Sequence, residues 1–459
     1  MVLLVLTIIL GFVVLYVLQF YKKVYSLPKG PFPVPLIGNV HLFNPAELHK
    51  WILEQRKIYG SVFSIYIANP YVVLSDVKSI KEALVTNGEW FAGRQQQFPE
   101  TMMHDAVDVG VIMSSGDMWQ AQRRLTLKIM RDFGMGRPMM EDKILLAIND
   151  LTQHMDSLAD KDHVDFPSII HLTIGNIINS ITFGFMYPFN DAKEFYNFTH
   201  IVDETMNSSC RWEFKVLSMF PKLANYSIVK NGIFRSFFSQ NKELRRINSE
   251  RVAKAKACFK PNEEPQNFVH AALREINSVD SNYNFLDDTH ITGMTFDMYL
   301  AGQETSTTTT KWFILMLMKY PEVQQKVFEE IFNAVGLENE IKLSHKNQLP
   351  YTMAFINEAQ RYCNIVPLVP GHLCTKDTTI QGHFIPKGTV VQPFFYGSNY
   401  DETVFEEPYE FKPERFLLED GKTLNKQLYD QMYSFGRGAR VCAGQSLAMM
   451  ELQVRIINK

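Results

Sequence analysis

The chain has 459 residues, of which 46% are hydrophobic and 21% are charged. This balance excludes a disordered or fibrous protein, and the length is sufficient for a large buried core. The formal net charge of −3 argues against nucleic acid as a general partner. The five cysteines are widely spaced and form no Cys-x-x-Cys pair, which argues against a disulfide or zinc scaffold.

The first 21 residues form an uncharged, apolar segment. Val, Leu and Ile fill most of residues 1–21, and a bilayer-spanning helix needs about 20 such residues. A cleaved secretory signal is the alternative, but the segment lacks a charged n-region and a small-residue cleavage site. Lys22 and Lys23 follow at once, and the positive-inside rule places them and the rest of the chain in the cytosol. We therefore predict a single-pass anchor in the endoplasmic reticulum membrane.

Residues 22–44 form a proline-rich spacer. The closely spaced prolines from Pro28 to Pro35 forbid a helix and favour a stiff extended strand. A disordered hinge is the alternative, and it is disfavoured because apolar residues alternate with the prolines and could pack on the body. No further linker or internal repeat follows, so residues 45–459 are predicted to form one large domain.

Two short β-rich patches accompany a mainly helical body. Ser61 to Ile67 and Tyr71 to Ser75 are β-branched and aromatic runs, with Ala68-Asn69-Pro70 as the hairpin turn between them. A second patch runs from about Val366 to Pro393, with Ile385-Pro386-Lys387-Gly388 as its turn. Most of the sequence between the patches has helical spacing. The predicted fold class is therefore mainly α with a small β portion.

The longest predicted helix begins near Asp288, with Asp or Thr as its cap, and runs to Tyr320, where Pro321 stops it. Its ~32 residues would span about 48 Å, enough to cross a whole domain, so the helix should be central. Its middle, residues 301–310, contains Gly302 and six β-hydroxyl residues, where a buried helix would prefer Leu and Ala. Alone, this pattern also fits a kinked helix with a polar face towards solvent.

A glycine-rich loop from Phe435 to Gly444 runs directly into a helix-forming segment. Gly438 and Gly444 allow tight turns and a close approach to a flat ligand, and Arg440 supplies a cation for an anionic cofactor edge. The N-terminus of the following helix favours an anionic thiolate at Cys442, the form that ligates metals. Haem held by one axial cysteine is the simplest interpretation, and the alternative is a buried, inert cysteine.

The spacing Phe-x-x-Gly-x-Arg-x-Cys-x-Gly over residues 435–444 resembles the cytochrome P-450 family of haem-thiolate monooxygenases at all five constrained positions. Resemblance to its animal microsomal branch extends from the proline spacer through Arg94, Phe133-Gly134-Met135-Gly136 and residues 385–388 to this loop. It implies the cytochrome P-450 fold and haem b (iron protoporphyrin IX), with Cys442 as the axial iron ligand. The implied reaction is NADPH- and O₂-dependent monooxygenation, a hydroxylation or epoxidation, of a lipophilic xenobiotic, fatty acid or steroid.

The polar middle of the long helix matches the oxygen-activation motif of this family. The matching residues are Ala301-Gly302-x-Glu304-Thr305, with Ser306 as a mild variant where Thr is frequent. Oxygen activation needs a cleft for O₂ and a route for protons. Gly302 can open the helix locally, while Glu304 and Thr305 supply an acid beside an alcohol for relaying protons through water. These three are the candidate catalytic residues.

Haem propionates need cations and hydrogen-bond donors. Trp119 and Arg123 share one helical face, and Arg123 and Arg440 match family positions. His372 is a further candidate, although the preceding Pro370 and Gly371 would also suit a residue in a surface turn. The predicted cofactor-binding set is Cys442, Arg440, Trp119, Arg123, His372, Phe435, Gly438 and Gly444.

The resemblance also implies a structural charge network. Glu358 and Arg361 share a face of a helix that starts near Pro350, although any surface helix can carry such a pair. The family joins both residues to Arg415 in a buried network on the thiolate side. This implies a role in fold integrity and haem uptake rather than in chemistry.

A basic stripe is predicted on the helix that carries Arg123. Arg124, Lys128 and Arg131 lie roughly 100° around the helix from it, and such a run is usually a solvated face. In the family, the corresponding helix borders the thiolate side of the haem, where an acidic, NADPH-dependent flavoprotein reductase docks. Electrostatic steering would then give electron delivery a strong salt dependence.

Three stretches are expected to line the substrate pocket: about Gln95 to Val111, Ile201 to Phe238 and Asp297 to Gln303. They are rich in Phe and Met, which suits an apolar, adaptable cavity but does not identify the ligand.

The chain ends at Lys459, whereas the family continues through a final β-hairpin, so we expect either a truncated chain or one that has lost activity. The rivals are a thiolate-haem isomerase or dehydratase of oxygenated lipids, which the Glu304-Thr305 pair disfavours, and a catalytically dead haem-binding protein.

Overall fold

The computed structural model describes residues 1–67, 69–133, 138–208, 211–336 and 342–457, without the side chains of residues 138–139 and 454–457. Ala68 of the predicted turn, the family-like residues 134–136 and Cys210 lie outside the described residues. Everything below refers to the described part of the chain.

Helices dominate the described residues, and the predicted fold class, mainly α with a small β portion, is confirmed. The helices are α1 Val2–Tyr25, α2 Leu48–Tyr59, α3 Val77–Lys81, α4 Gly116–Asp132, α5 Pro138–Ser157, α6 Phe166–Thr182, α7 Lys193–Asn207, α8 Trp212–Met219, α9 Ser227–Asn231, α10 Arg235–Ala257, α11 Phe268–Asn277, α12 Asp288–Lys319, α13 Pro321–Val335, α14 Pro350–Cys363, α15 Phe395–Asn399, α16 Lys426–Tyr429 and α17 Gln445–Ile457.

Helix α1 is long and apolar enough to cross a membrane, and none of its residues is buried against the body. It includes both lysines and so continues one turn beyond the predicted segment. Its last turns still contact the body through Phe20, whose ring centroid lies 5.6 Å from that of Tyr66, and Tyr21 stacks on Phe32 of the spacer at 5.1 Å. The spacer packs closely on the first strand, where a Cβ at Gly30 would lie 1.9 Å from the Ser64 carbonyl oxygen.

Helix α12 is the predicted long helix. Its cap is Asp287, one residue before the predicted position, whose carboxylate accepts from the backbone N–H groups of Thr289 and His290. The helix ends at Lys319, just before Pro321. It packs against α6, α10, α14 and α17, and fully buried Tyr299 and Phe313 each contribute about 1.5–3 kcal/mol of apolar burial. This central position makes α12 a wall of any internal cavity.

The strands are β1 Val62–Ile67, β2 Asn69–Leu74, β3 His372–Leu373, β4 Thr378–Ile380, β5 His383–Ile385 and β6 Val390–Pro393. One sheet has the order β1-β2-β6-β3, in which β2 and β6 are parallel and the other pairs antiparallel; β4 and β5 form a separate hairpin. Strand β2 begins at Asn69, so Asn69 and Pro70 belong to the strand rather than to the predicted turn.

The structure has a turn at the predicted residues 385–388, where the Thr389 N–H donates to the Pro386 carbonyl at 3.2 Å and Gly388 has a φ angle of 83°. The β4–β5 hairpin has a different turn, at Gln381 and Gly382, which both have positive φ angles, of 46° and 80°. Residues 386–388 connect β5 to β6 in the other sheet. A Pro-x-Gly sequence specifies a turn but not which strands it joins, because pairing depends on distant residues.

The largest apolar cluster joins α4, α5, α6, α10, α11, α12 and α17. A second cluster lies around the four-stranded sheet and α3, and a third joins the C-terminal part of α12 to α13 and α14. The packing of α12 against α17 brings the two sequence motifs together, since Thr305 lies in the middle of α12 and Cys442 directly precedes α17.

Candidate active site

A cavity of about 380 Å³ lies between the middle of α12 and the loop of residues 435–444. Ala301 and Thr305 are solvent-accessible although α12 is central, because both side chains face this cavity. Phe435 and Cys442 line it from the loop. The structure therefore places the two predicted motifs on opposite walls of one cavity.

Gly302 allows α12 to approach α6 closely. A Cβ at this position would lie 2.7 Å from Cδ1 of Ile178 on α6, closer than real Cβ contacts. The helix is continuous through Gly302, so the local opening suggested by the sequence is not seen. Instead, the Thr305 hydroxyl donates to the Ala301 carbonyl oxygen one turn earlier, at 2.5 Å.

Glu304 lies on a different side of α12 from Thr305. Consecutive helical residues differ in direction by about 100°, and Glu304 is not among the residues that line the cavity. Its Oε1 is 3.0 Å from Nε2 of His171 on α6. His171 could not be identified from the sequence, because nothing in the local sequence indicates a contact between residues on two helices that are far apart in the chain.

The loop conformation presents the Cys442 thiol to the cavity. Gly436 and Gly438 have φ angles of 71° and 76°, and a Cβ at Gly438 would lie 1.7 Å from the Leu84 carbonyl oxygen, so only glycine fits there. The Cys442 N–H donates to the Phe435 carbonyl at 2.9 Å, which closes the loop. Gly444 is less constrained, since its Cβ would lie 4.0 Å from the Cys442 sulfur.

Opposing effects act on the Cys442 thiol. Burial away from bulk water raises its pKa, and the backbone N–H groups of Gly444 and Gln445 and the Arg123 guanidinium offset only part of that rise. The sulfur is nevertheless open to the cavity that it lines. These donors are the ones that would stabilise a metal-bound thiolate, so Cys442 is equipped to be a ligand.

Three guanidinium groups crowd one side of the cavity. Arg94, Arg123 and Arg440 all line it, and their hydrogen bonds end on backbone carbonyl oxygens, for example from Arg440 Nε to Ala92 at 2.9 Å and from Arg94 Nη1 to Gly371 at 2.9 Å. Burial, together with the other two arginines, lowers the pKa of Arg440 to about 8. Burial lowers the pKa of Arg94 to about 10. Such crowding of like charges favours an anion between them.

Trp119 and His372 complete this cationic side. The Arg440 guanidinium lies 3.8 Å from the centre of the Trp119 ring, and the buried indole Nε1 has no hydrogen-bond partner. His372 is buried at 3% exposure, with Nδ1 2.7 Å from the Phe91 carbonyl oxygen, so the surface-turn alternative is wrong. Burial and the nearby Arg94 and Arg440 lower its pKa well below the usual range, so its imidazole is neutral at neutral pH.

These features fit haem. A planar dicarboxylate would neutralise the crowded arginines and could accept from the unpartnered indole N–H, while Cys442 in the same cavity offers a thiolate to its iron. The residues that could hold the cofactor are Cys442, Arg440, Trp119, Arg123, His372, Phe435, Gly438 and Gly444. Arg94, which in the sequence is only part of the family resemblance, joins them because it lines the same cavity.

Glu358, Arg361 and Arg415 meet in a buried network beside this loop. The Glu358 carboxylate accepts from Arg361 Nε and Nη2 at 2.8 Å and from Arg415 Nε at 3.1 Å. Arg361 also donates to the Asn399 carbonyl at 2.9 Å, and the Asn399 side chain accepts from the N–H of Tyr433 at 3.1 Å. The network is thus tied to the chain two residues before Phe435.

The basic stripe lies on the outer side of α4. Arg124, Lys128 and Arg131 are exposed, and Lys128 forms an ion pair with Glu275 of α11. Arg123 instead points into the protein and donates to the Val441 carbonyl at 2.5 Å. One helix therefore carries both an internal and an external cationic surface.

The expected pocket-lining stretches contribute unequally. Residues 95–111 supply Val111, and residues 297–303 supply Asp297, Met298, Ala301 and Gly302. Residues 201–238 supply no described lining residue, and many of their apolar side chains pack instead in a cluster with Phe98. Lining residues that the prediction missed include Ile112, Ile178, Ile181, Ile365, Val366 and Val369.

Comparisons with known proteins agree with this geometry. A family model described as Cytochrome P450 matches residues 28–458. The chain is 31% identical over 432 residues to Cytochrome P450 2H2 of Gallus gallus, covering 93% of this chain and 84% of that protein. It is 31% identical over 448 residues to Cytochrome P450 2E1 of Oryctolagus cuniculus, covering 96% and 88%. It is 33% identical over 431 residues to Cytochrome P450 2F5 of Gorilla gorilla gorilla, covering 93% and 85%.

Proposed function

The chain belongs to the cytochrome P450 family of haem-thiolate monooxygenases, and we propose that its 380 Å³ cavity is the place where it oxygenates a lipophilic small molecule. The observation that carries this proposal is the placement of Cys442 across one cavity from Thr305, with the arginine cluster at its side. Neither rival, the isomerase or the inactive haem-binding protein, is favoured by a contact in the described residues.

The loop and the cationic side would hold the cofactor. Cys442 is the proposed axial ligand, while Arg123, Arg440, Trp119 and His372 are the proposed partners of the propionates, joined by Arg94. When bound, haem supplies the activation of O₂, and a thiolate ligand favours O–O bond cleavage by donating electron density. Gly438 acts indirectly, because it lets the loop pass against the Leu84 backbone.

Thr305 and Glu304 are the proposed proton-handling residues. The Thr305 hydroxyl faces the cavity, and because it donates to Ala301, its oxygen is free to accept a hydrogen bond from the cavity side. The Glu304 carboxylate lies at the His171 side of α12 and is partly exposed to solvent, with 32% of its side chain accessible. It is therefore placed to take up protons from solvent, as a general acid requires.

The apolar part of the cavity suggests the substrate class. Its lining includes Ile112, Met298, Val366 and Val369, which favour an apolar ligand of modest size. Asp297 also lines the cavity, but its carboxylate already accepts from the backbone N–H groups at residues 111 and 112, at 2.6 and 2.9 Å, and from His104 at 2.9 Å. It is thus proposed to hold the 110–112 loop rather than to bind a cationic substrate.

The family also implies a reductase partner and membrane anchoring. We propose that residues 1–21 anchor the chain in the endoplasmic reticulum, that residues 22–44 are the spacer, and that residues 45–459 form the catalytic domain in the cytosol. The proposed docking surface for an NADPH-dependent flavoprotein reductase is the exposed stripe of Arg124, Lys128 and Arg131.

The deciding experiment is the carbon monoxide difference spectrum of the reduced protein. We expect a long-wavelength Soret band, its loss in Cys442→Ser, and its retention in Cys363→Ser. Cys363 is the matched control because it lines the same cavity from the end of α14. A band that survived in Cys442→Ser and disappeared in Cys363→Ser would overturn the ligand assignment, and no band in the unaltered chain would overturn the proposed function.

A further inference from the structure

A second cavity, of about 290 Å³, lies between the segment of residues 104–109, helix α10 and the N-terminal turns of α12. Its lining includes His104 and Val109 from the segment, Ser249 from α10, and Thr292 and Phe296 from α12. None of these residues lines the catalytic cavity. The chain therefore has a second enclosed space in which a ligand could bind apart from the proposed haem site.

The two cavities share one wall. Along the chain, Val109 lines the second cavity, whereas Val111 and Ile112 line the catalytic cavity. On α12, Phe296 lines the second cavity and Asp297, the next residue, lines the catalytic one. A shift of the wall on one side is therefore passed to a direct neighbour in the chain on the other side.

Glycines keep this wall thin and closely packed. A Cβ at Gly110 would lie 2.3 Å from Oδ2 of Asp297, closer than real Cβ contacts. A Cβ at Gly293 of α12 would lie 2.2 Å from Cγ1 of Val109. Closely packed parts of a protein transmit displacement instead of absorbing it, so the wall connects the two cavities mechanically.

His104 links the second cavity to this wall by a hydrogen bond. Its Nε2 lies 2.9 Å from Oδ1 of Asp297, and its ring packs edge-on against Phe296 with centroids 5.7 Å apart. The other oxygen of Asp297 accepts from the N–H groups of Val111 and Ile112. The Nδ1 atom of His104 has no hydrogen-bond partner in the described part of the chain. A ligand in the second cavity can therefore supply one.

The charges at the second cavity are already balanced within the described residues. Arg245, which lines it, pairs with Asp105 at 3.6 Å. Asp288, which also lines it, pairs with Lys256 at 2.5 Å. A charged ligand would have to compete with these ion pairs, so the lining favours a neutral ligand.

The remaining lining favours a ligand with an apolar body and a hydroxyl group. Val109 and Phe296 supply apolar surface. The hydroxyl groups of Ser249 and Thr292 have no hydrogen-bond partner in the described part of the chain, and His104 adds an open ring nitrogen. A hydroxyl group can both donate and accept, so an alcohol suits these groups better than a hydrocarbon does.

We propose that the second cavity binds a small neutral alcohol, which donates to Nδ1 of His104 and strengthens ligand binding in the catalytic cavity. This inference goes beyond the proposed function, because the second cavity takes no part in the reaction. A donor at Nδ1 fixes the tautomer in which Nε2–H donates to Asp297. Asp297 then holds the loop at Val111 and Ile112 more firmly, and a ligand in the catalytic cavity has less ordering left to impose.

The first test is the affinity of the haem-loaded chain for 4-phenylimidazole, measured from the Soret shift with and without cyclohexanol. We expect cyclohexanol to lower the Kd about five-fold in the unaltered chain. In Ser249→Phe, where the added ring occupies the second cavity, cyclohexanol can only compete in the catalytic cavity, so the Kd should stay unchanged or rise. Ser239→Phe is the matched control and should behave like the unaltered chain, because Ser239 is exposed on the same helix and lines neither cavity.

The class of ligand is tested with analogues of the same ring. Methylcyclohexane lacks the hydroxyl group, and cyclohexanecarboxylate and cyclohexylammonium carry a charge. None of the three should lower the Kd for 4-phenylimidazole by more than about two-fold. A five-fold decrease with either charged analogue would overturn the assignment to a neutral alcohol.

The second test detects the alcohol directly and needs no variant. With the catalytic cavity saturated by 4-phenylimidazole, saturation-transfer NMR should show bound cyclohexanol in the unaltered chain and in Ser239→Phe, and not in Ser249→Phe. No transfer to cyclohexanol in the unaltered chain would overturn the inference even if Ser249→Phe failed to fold.

The two proposals fail in different ways. If the unaltered chain lacks the long-wavelength Soret band with carbon monoxide, the proposed function fails. If the band is present but cyclohexanol raises the Kd equally in the unaltered chain and in Ser249→Phe, the alcohol only competes in the catalytic cavity, and only the second binding site is overturned.

Discussion

The indole of Trp119 shows how single atoms decide the chemistry of this site. Its ring supports the Arg440 guanidinium at 3.8 Å, a cation–π contact, while its Nε1–H is buried without a partner. A buried donor with no acceptor is costly, and an anionic ligand would remove that cost. The same reasoning applies to the neighbouring arginines, whose charges are not balanced by any carboxylate within salt-bridge distance in the described residues.

Trp119→Phe separates these two roles, because phenylalanine keeps an aromatic ring under Arg440 and removes the N–H. We expect about a five-fold weaker affinity for haem, measured by transfer of haem to an acceptor such as apomyoglobin, with an unchanged Soret position. Trp90→Phe is the control, since Trp90 stacks under Lys376 outside the cavity. Equal haem loss in both variants would contradict the assignment of Trp119 to a propionate.

The proposed role of Thr305 in proton transfer depends on its hydroxyl oxygen. Thr305→Ala removes the hydroxyl group that faces the cavity, and we expect the ratio of product to NADPH consumed to fall about five- to ten-fold, with the difference released as hydrogen peroxide. Thr308→Ala is the control on the same helix, since Thr308 does not line the cavity. Unchanged coupling in Thr305→Ala would remove this residue from the proton route.

At the scale of elements, α14 acts as the support of the Cys442 loop. The charge network joins α14 to the segment around Asn399, which in turn holds the N–H of Tyr433. A second bond, from the Ser434 hydroxyl to the Gln360 carbonyl at 3.3 Å, ties the loop to α14 directly. Rigid support of this kind keeps a metal ligand in place, because loops alone are mobile.

Replacing Glu358, the carboxylate of this network, should destabilise the folded protein and the Cys442 loop that α14 supports. Glu358→Gln leaves Arg361, which is fully buried, and Arg415 without their carboxylate, and we expect a loss of about 3–5 kcal/mol in the free energy of unfolding together with poor haem incorporation. Thermal unfolding and the haem-to-protein ratio measure both effects. The control is Glu54→Gln, which breaks an exposed ion pair with Lys57 and should cost under about 1 kcal/mol. Similar losses in the two variants would contradict a supporting role for the network.

At the scale of the whole molecule, the proposed membrane anchor and the proposed reductase-docking surface must be compatible. The last turns of α1 contact the body through Phe20 and the spacer through Tyr21, so the helix is not joined to the body by a free linker alone. The basic stripe on α4 remains exposed with α1 in this position. A reductase held in the same membrane could therefore reach it.

Neutralising the stripe tests this surface. In the double variant Arg124→Gln and Arg131→Gln, we expect the KM for the reductase to rise at least about ten-fold at low salt and the salt dependence to flatten, with an unchanged carbon monoxide spectrum. The double variant Lys50→Gln and Lys57→Gln removes the same charge from exposed positions on α2 and is the control. An equal rise in both double variants would show that net charge, and not the stripe, governs docking.

The sequence alone determined those features that lie close together in the chain: the apolar segment before Lys22, the long helix before Pro321, and the loop that ends at Gly444. Each depends on local propensities and on spacings within a few residues, which can be read without knowing the rest of the fold. The sequence also indicated the chemistry at Cys442 and Thr305, because residue types in tight spacing restrict what a site can do.

Only the tertiary structure decided how distant segments meet. It placed Glu304 against His171, buried the Trp119 N–H without a partner, buried His372, and excluded the described residues of 201–238 from the cavity wall. It also showed that Gly302 serves close packing against Ile178 rather than an opening of α12. Each of these outcomes depends on contacts between residues that are more than a hundred positions apart in the chain. Such a contact forms only when two particular helix or loop surfaces pack together. The local sequence does not specify that packing, because many other pairings of surfaces are compatible with the same local sequence.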